Sequence, residues 1–219
     1  MRIAPLTKIA FGLTLSLAAP AAGQICAGFV SFAGAPLRVT GSAGVNSHVR
    51  GFGLTLTSGH PGTFFGGVGL GATHFDALNG SSLDLVAGGG YEWPLDQRER
   101  FQLCPGVTVA HSAGPNSPYG DYSETDVTAS LRLGGVVLQS RHVRVIPSVG
   151  LGLQHAHQTV GGLNSTTEAT ASHDFGVLTL RTGAVFGRAV TLLPEVSVPI
   201  WLADGSATFD LALAANFRF

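Results

Sequence analysis

The chain closes on FDLALAANFRF, residues 209–219. Every second residue, read backwards from the end, gives Phe219, Phe217, Ala215, Leu213, Leu211 and Phe209. Between them stand Arg218, Asn216, Ala214, Ala212 and Asp210. A period of two belongs to a β-strand with one apolar and one polar face. Here the apolar face runs to the last residue. Whether it looks at a protein core or at lipid decides the fold.

The same alternation marks ten segments in all, at 37–46, 48–57, 64–75, 83–93, 101–112, 125–139, 143–157, 173–186, 189–201 and 206–219. Each has about ten to fourteen residues, enough to cross roughly 25–30 Å when tilted by about 40°. Strands of soluble proteins are usually about half that long. The connections at 58–63, 94–100, 140–142 and 187–188 are short. Those at 113–124 and 158–172 are long, polar and rich in Gly, Ser, Thr and Asn. In an up-and-down arrangement long and short connections fall at opposite ends, the asymmetry of transmembrane barrels.

The faces sort in the same way. Val127, Ala129, Leu131, Leu133 and Val137 oppose Asp126, Thr128, Ser130 and Arg132. Val143, Val145, Val149, Leu151 and Leu153 oppose Arg144, Ser148 and Gln154. The outer face of a soluble sandwich would carry Lys and Glu, which these strands lack. Phe64, Tyr91, Trp93, Phe101, Phe186, Phe217 and Phe219 gather at one end of the apolar faces, as an aromatic girdle does. The apolar face therefore looks at lipid. Only closed barrels among β structures satisfy their backbone there. The expected fold is an all-β, closed antiparallel up-and-down transmembrane β-barrel of about ten strands, with eight the alternative.

Residues 1–23 read as a secretory signal peptide, with Arg2 and Lys8 before an apolar stretch and small residues before Gln24. Residues 24–36 would be a periplasmic N-terminal segment and 37–219 the barrel. After residue 23 the chain has ten arginines, no lysine and 13 acidic residues, which gives no basic patch for nucleic acid. Its mean hydropathy is positive, yet no apolar run beyond the leader is long enough for a membrane helix.

The leader, the alternating strands and the terminal NFRF together resemble bacterial outer-membrane β-barrel proteins, most closely the small outer membrane protein A or X type. The resemblance covers the whole mature chain. It implies a monomer in the bacterial outer membrane, surrounded by outer-membrane lipid. Phe219, with Phe217 and Phe209 at alternating positions before it, matches the signal such proteins present to the barrel-assembly machinery.

By phase, Arg38, Arg132, Arg144, Arg181 and Arg218 face inward with Asp84, Glu92, Asp126, Glu195 and Asp210. Five charges of each sign would neutralise an interior where unpaired charge is costly. The aspartates fall toward the outer mouth, Arg132 and Arg181 at mid-depth, and Arg38, Arg144 and Arg218 near the periplasmic end. A polar, ion-paired filling that holds the barrel rigid is the expected role, with a structural or surface-interaction function and no cofactor. A small passive pore is the alternative, and an outer-membrane hydrolase a further one. His48, His74, His111, His155, His157 and His173 sit at the outer ends, most pointing toward lipid, where convergence on a metal is not expected. No His-x-Ser spacing occurs; His157 with Thr159 comes nearest. Gly66–Gly67 and Gly88–Gly90 read as close packing within strands.

Two cysteines in an exported chain predict one disulfide rather than a metal site. Cys104 falls on the inward face near the periplasmic end, and Cys26 about eleven residues before the first strand on that side. A Cys26–Cys104 bond would pin residues 24–36 under the periplasmic mouth as a partial plug.

Overall fold

The computed structural model describes residues 37–59, 64–76, 79–97, 100–117, 120–161, 168–186, 190–201 and 207–217. The leader, the 24–36 segment, Cys26, Arg218 and Phe219 lie outside the described residues.

Ten strands form the wall: β1 (Leu37–Val45), β2 (Val49–Gly59), β3 (Phe64–Phe75), β4 (Gly80–Tyr91), β5 (Phe101–Ser117), β6 (Gly120–Gly135), β7 (Val143–Gly161), β8 (Glu168–Phe186), β9 (Val190–Ile200) and β10 (Thr208–Phe217). Each pairs antiparallel with its neighbour in sequence, and β10 pairs back onto β1 from Leu37↔Phe217 to Val45↔Phe209. The sheet is therefore a closed up-and-down barrel. Followed once through the ten ladders, a residue of β1 returns to β1 displaced by 12 positions. That stagger on ten strands corresponds to a tilt of about 40°. The lower rim, where β1 begins and β10 ends, carries two short additions: Trp93–Pro94 pairs with β5 and Leu138–Gln139 with β7.

The upper rim differs from expectation. Residues 113–124 and 158–172 are not long loops: β5 runs to Ser117 and β6 resumes at Gly120, while β7 reaches Gly161 and β8 begins at Glu168. Polar composition had suggested loops, but above the membrane both faces of a strand meet water, so an extended hairpin there loses its apolar alternation. A register shift between Ala113 and Asn116 accommodates the tall β5–β6 hairpin.

The outer surface is a continuous apolar belt. Phe52, Leu54, Leu70, Leu85, Val107, Leu131, Leu151, Leu180 and Leu211 all project outward and are largely exposed, far more apolar surface than a soluble monomer leaves bare. Below it stand Phe64, Trp93, Phe101 and Phe186, with Phe64 and Tyr91 in edge-to-face contact at 5.0 Å between ring centres. Above it the outward positions turn polar: Arg50, His74, His111, His155, His157 and Asp174, with exposed Trp201 among them. Between the two girdles about ten residues per strand, each rising about 2.5 Å at this tilt, cover the roughly 25 Å of a hydrocarbon core.

The glycine runs pack as their sequence suggests. Gly66 pairs with Gly89 and Gly67 with Gly88, and a Cβ on Gly89 would lie 2.8 Å from the Phe65 carbonyl oxygen.

If the belt faces lipid, Leu131→Arg at its middle should cost about 2–4 kcal/mol of folding free energy. Ser81→Arg, on the outer surface above the belt, should cost close to nothing. Denaturant titration in phospholipid vesicles measures both, and equal costs would contradict the assignment.

Candidate functional site in the barrel lumen

The alternation that greases the exterior fills the interior with three layers. Nearest the lower rim, Phe65, Cys104, Val136, Ile146 and Val185 form an apolar cluster, so the lumen is not wholly polar as the phase argument implied. Arg38 and Glu92 are buried beside it and interact electrostatically. Glu92 lies in a break between β4 and the Trp93–Pro94 ladder rather than within a strand. Arg144 faces the interior and is half-buried. Cys104 is fully buried, and no cysteine among the described residues is free.

At mid-depth three charges cross the barrel. Glu195 on β9 receives Arg132 of β6 at 3.2 Å and Arg181 of β8 at 2.5 Å. All three side chains are at most 5% exposed. Arg132 also donates to the Thr179 hydroxyl at 3.2 Å, and Ser197 donates to the other Glu195 oxygen at 3.2 Å. The reach of Arg132 depends on Gly150, its ladder partner on β7. A Cβ there would stand 2.5 Å from the Thr179 hydroxyl and 3.2 Å from Arg132 Nε. The bare backbone of Gly150 is the floor over which the guanidinium passes.

The upper lumen is acidic. Asp84 accepts hydrogen bonds from Thr73 at 2.6 Å and Ser82 at 2.8 Å. Asp126 and Asp210 are both buried, and among the described residues neither Asp210 oxygen has a hydrogen-bond partner. Glu124, which the sequence reading left in a loop, is buried on β6 two residues from Asp126. It accepts from the Tyr122 hydroxyl and, at 3.1 Å, from the Gln158 amide. Its place above the outward histidines puts it beyond the membrane-spanning part. The missed signal was a polar strand extension: Tyr122, Glu124 and Asp126 alternate in phase with Thr128 and Arg132. Burial, and after it the negative charge of Asp126, raise the Glu124 carboxyl to about 9. Desolvation, then the Glu124 charge, push the Tyr122 phenol upward as well.

The outward histidines do gather more closely than expected. On β7 and β8, His155 meets Asp174 at 2.7 Å and His157 meets Ser172 at 2.8 Å. His111 bonds Thr125 at 3.0 Å. The serine and the aspartate engage different histidines, so this block is two dyads and not a relay from acid through histidine to nucleophile. His173 points into the lumen. Among the described residues no group of three or more His, Cys, Asp or Glu side chains is placed to hold an ion.

No protein-family model matches the chain, and no curated protein is similar to it. Among solved structures it is similar to the N-terminal β-barrel domain of Pseudomonas aeruginosa OprF, at 13% identity and a TM-score of 0.38 over 83% of this chain and 96% of that one. It is similar to the KdgM porin at 9% and 0.44, over 83% and 99%. It is also similar to Ail, the attachment invasion locus protein of Yersinia pestis, at 9% and 0.41, over 84% and 99%.

The Glu124 shift fixes a pH dependence. The folded carboxyl holds its proton to about 9 while the unfolded one releases it near 4.5. The folded state thus binds more protons in that window, and stability falls as pH rises through it. Glu124→Gln keeps an uncharged group beside Tyr122 and should flatten this part of the profile between pH 5 and 9. Denaturant midpoints measured across the range test it, and an unchanged slope would place the ionisation elsewhere.

Proposed function

We propose that the chain is a monomeric barrel of the bacterial outer membrane whose lumen is closed to ions, with a structural or surface-interaction role presented by the raised β5–β8 side of its upper rim. One observation carries the reading: Arg132, Glu195 and Arg181 join β6, β8 and β9 across mid-lumen, all buried. Beneath them the apolar cluster around Phe65 and Ile146 fills the lower end, and an ion would have to displace both layers. Export by the leader at 1–23 and assembly through Phe209, Phe217 and Phe219 belong to the same proposal.

Refolded protein in a planar bilayer should show no steady conductance. Arg132→Ala would leave Glu195 with one guanidinium; breaking a buried pair costs about 3–5 kcal/mol, and the variant should lose stability and begin to flicker open. Steady single-channel currents from the unaltered protein would instead establish a passive pore.

The same proposal includes the Cys26–Cys104 disulfide, since Cys104 sits fully buried at the lower end, on the side where β1 begins. Loop closure of this length contributes roughly 4 kcal/mol in the chain-entropy account. Mass spectrometry of unreduced protein from native envelopes should find no alkylatable thiol, and two such thiols would refute the bond.

A further inference from the structure

The outer wall of β6–β8 thins where the apolar belt meets the upper girdle. Ala129, Leu153 and Gly176 stand side by side in the ladders, with Val127, His155 and Asp174 in the row above and Leu131, Leu151 and Leu178 in the row below. All of these positions share the outward phase. Between leucines and histidines, Ala129 and Gly176 contribute almost no side chain. Val127, Ala129, Leu153, His155, Asp174 and Trp201 line a groove of about 400 Å³ on this surface.

Trp201 makes one side of the groove at a conformational cost. It follows the last residue of β9 with φ at +69°, a left-handed backbone that a bulky residue rarely adopts. Strain of this kind persists where the surroundings hold it, and it gathers at functional sites. Gly176 is buried although it faces outward, because the indole lies over it. A Cβ there would stand 2.9 Å from Trp201 Cε3 and 2.6 Å from Ile200 Cγ1. The ring is nevertheless 74% exposed, so burial in a core does not explain its placement. At the top of the groove the His155 imidazole meets Asp174 at 2.7 Å, with side chains 54% and 85% exposed. The groove is thus apolar below and charged above, the profile of an amphiphile lying along the wall.

We infer that this groove seats one phospholipid with an ammonium headgroup, its acyl chain over Ala129 and Leu153 beside Trp201 and its head against Asp174. Charge complementarity selects the head. The exposed carboxylate can accept a second, charge-assisted hydrogen bond beside that of His155, and an ammonium at the indole face gains a cation–π attraction. An anionic head would meet the Asp174 charge instead. The chain enters sideways from the bilayer, so the site needs no passage through the lumen. The inference rests on the membrane reading of the exterior and goes beyond it, from general contact with lipid to one lipid in one place.

The test uses Trp201 as its own reporter. Trp93→Phe removes the other tryptophan, and this chain, refolded in detergent, is titrated with phosphatidylethanolamine brominated in its acyl chains. Quenching of Trp201 emission should saturate at one lipid per chain. Ala129→Phe, which fills the groove, should weaken binding at least tenfold, while Leu54→Phe, on the exterior of β2, leaves it unchanged. Asp174→Asn should weaken it severalfold, and brominated phosphatidylglycerol should bind less tightly than phosphatidylethanolamine. If Ala129→Phe does not refold, the stoichiometry and Asp174→Asn decide. Quenching that follows the lipid-to-detergent ratio without saturating means ordinary contact with surrounding lipid and overturns the inference, though not the membrane reading. Quenching absent at every ratio overturns both. Equal affinity for phosphatidylglycerol overturns the pairing of the head with Asp174, and the inference with it.

Discussion

Everything in this molecule follows from the requirement that no backbone amide or carbonyl be left unpaired in hydrocarbon. The β10–β1 ladder meets it by joining the two ends of the sheet. Closure then sets the rest: with ten strands and a stagger of 12 residues the tilt, and with it the depth crossed per residue, is no longer free. So is the division of side chains, because alternate residues must face lipid and lumen all the way round. Outward positions become Leu, Val and Phe. Inward positions inherit the polar remainder, and the protein must dispose of it without water in bulk.

Glu195 shows how the inner charges are disposed of. One carboxylate accepts from two guanidinium groups borne on different strands, tying β6, β8 and β9 across the interior rather than along the wall. The arrangement requires Gly150, since a side chain there would occupy the path of Arg132. The glycines of this chain thus serve two ends. On β3 and β4 they let strands lie close, and inside the lumen they leave room for what longer neighbours reach across.

Much of this was legible in the sequence, because a strict period of two reports the environment of each face directly. The closed ten-strand barrel agrees with the structure; its exterior is apolar, Phe64, Trp93, Phe101 and Phe186 stand exposed at its lower end, and Arg38, Asp126, Arg132, Arg181, Glu195 and Asp210 are buried. Periodicity fades where both faces of a strand are wet. For that reason the upper parts of β5–β8 read as loops in the sequence, Glu124 among them. Phase also says which way a residue points without saying which strand it meets. The Arg132–Glu195 contact joins residues 63 apart in sequence, and the His157–Ser172 contact depends on the β7–β8 register; neither is visible in local spacing. The apolar layer around Phe65 and Ile146 escaped for a related reason, since a few inward apolar residues on separate strands form a cluster only once the barrel has closed.

The places where the ladders stop carry a meaning of their own. The β4–β5 ladder ends at Leu83↔Ala113 and the β8–β9 ladder at Gly176↔Ile200, yet β5 and β8 continue upward to Ser117 and from Glu168. Above those points the four tall strands have no further ladder partner among the described residues at either side, and outward donors and acceptors left without one require solvent. Hydrocarbon can therefore rise no higher than those last pairs. Hydrogen bonding alone, with no reference to side chains, thus draws a waterline around the barrel, and it falls at the level where His111, His155 and Trp201 replace leucine on the exterior.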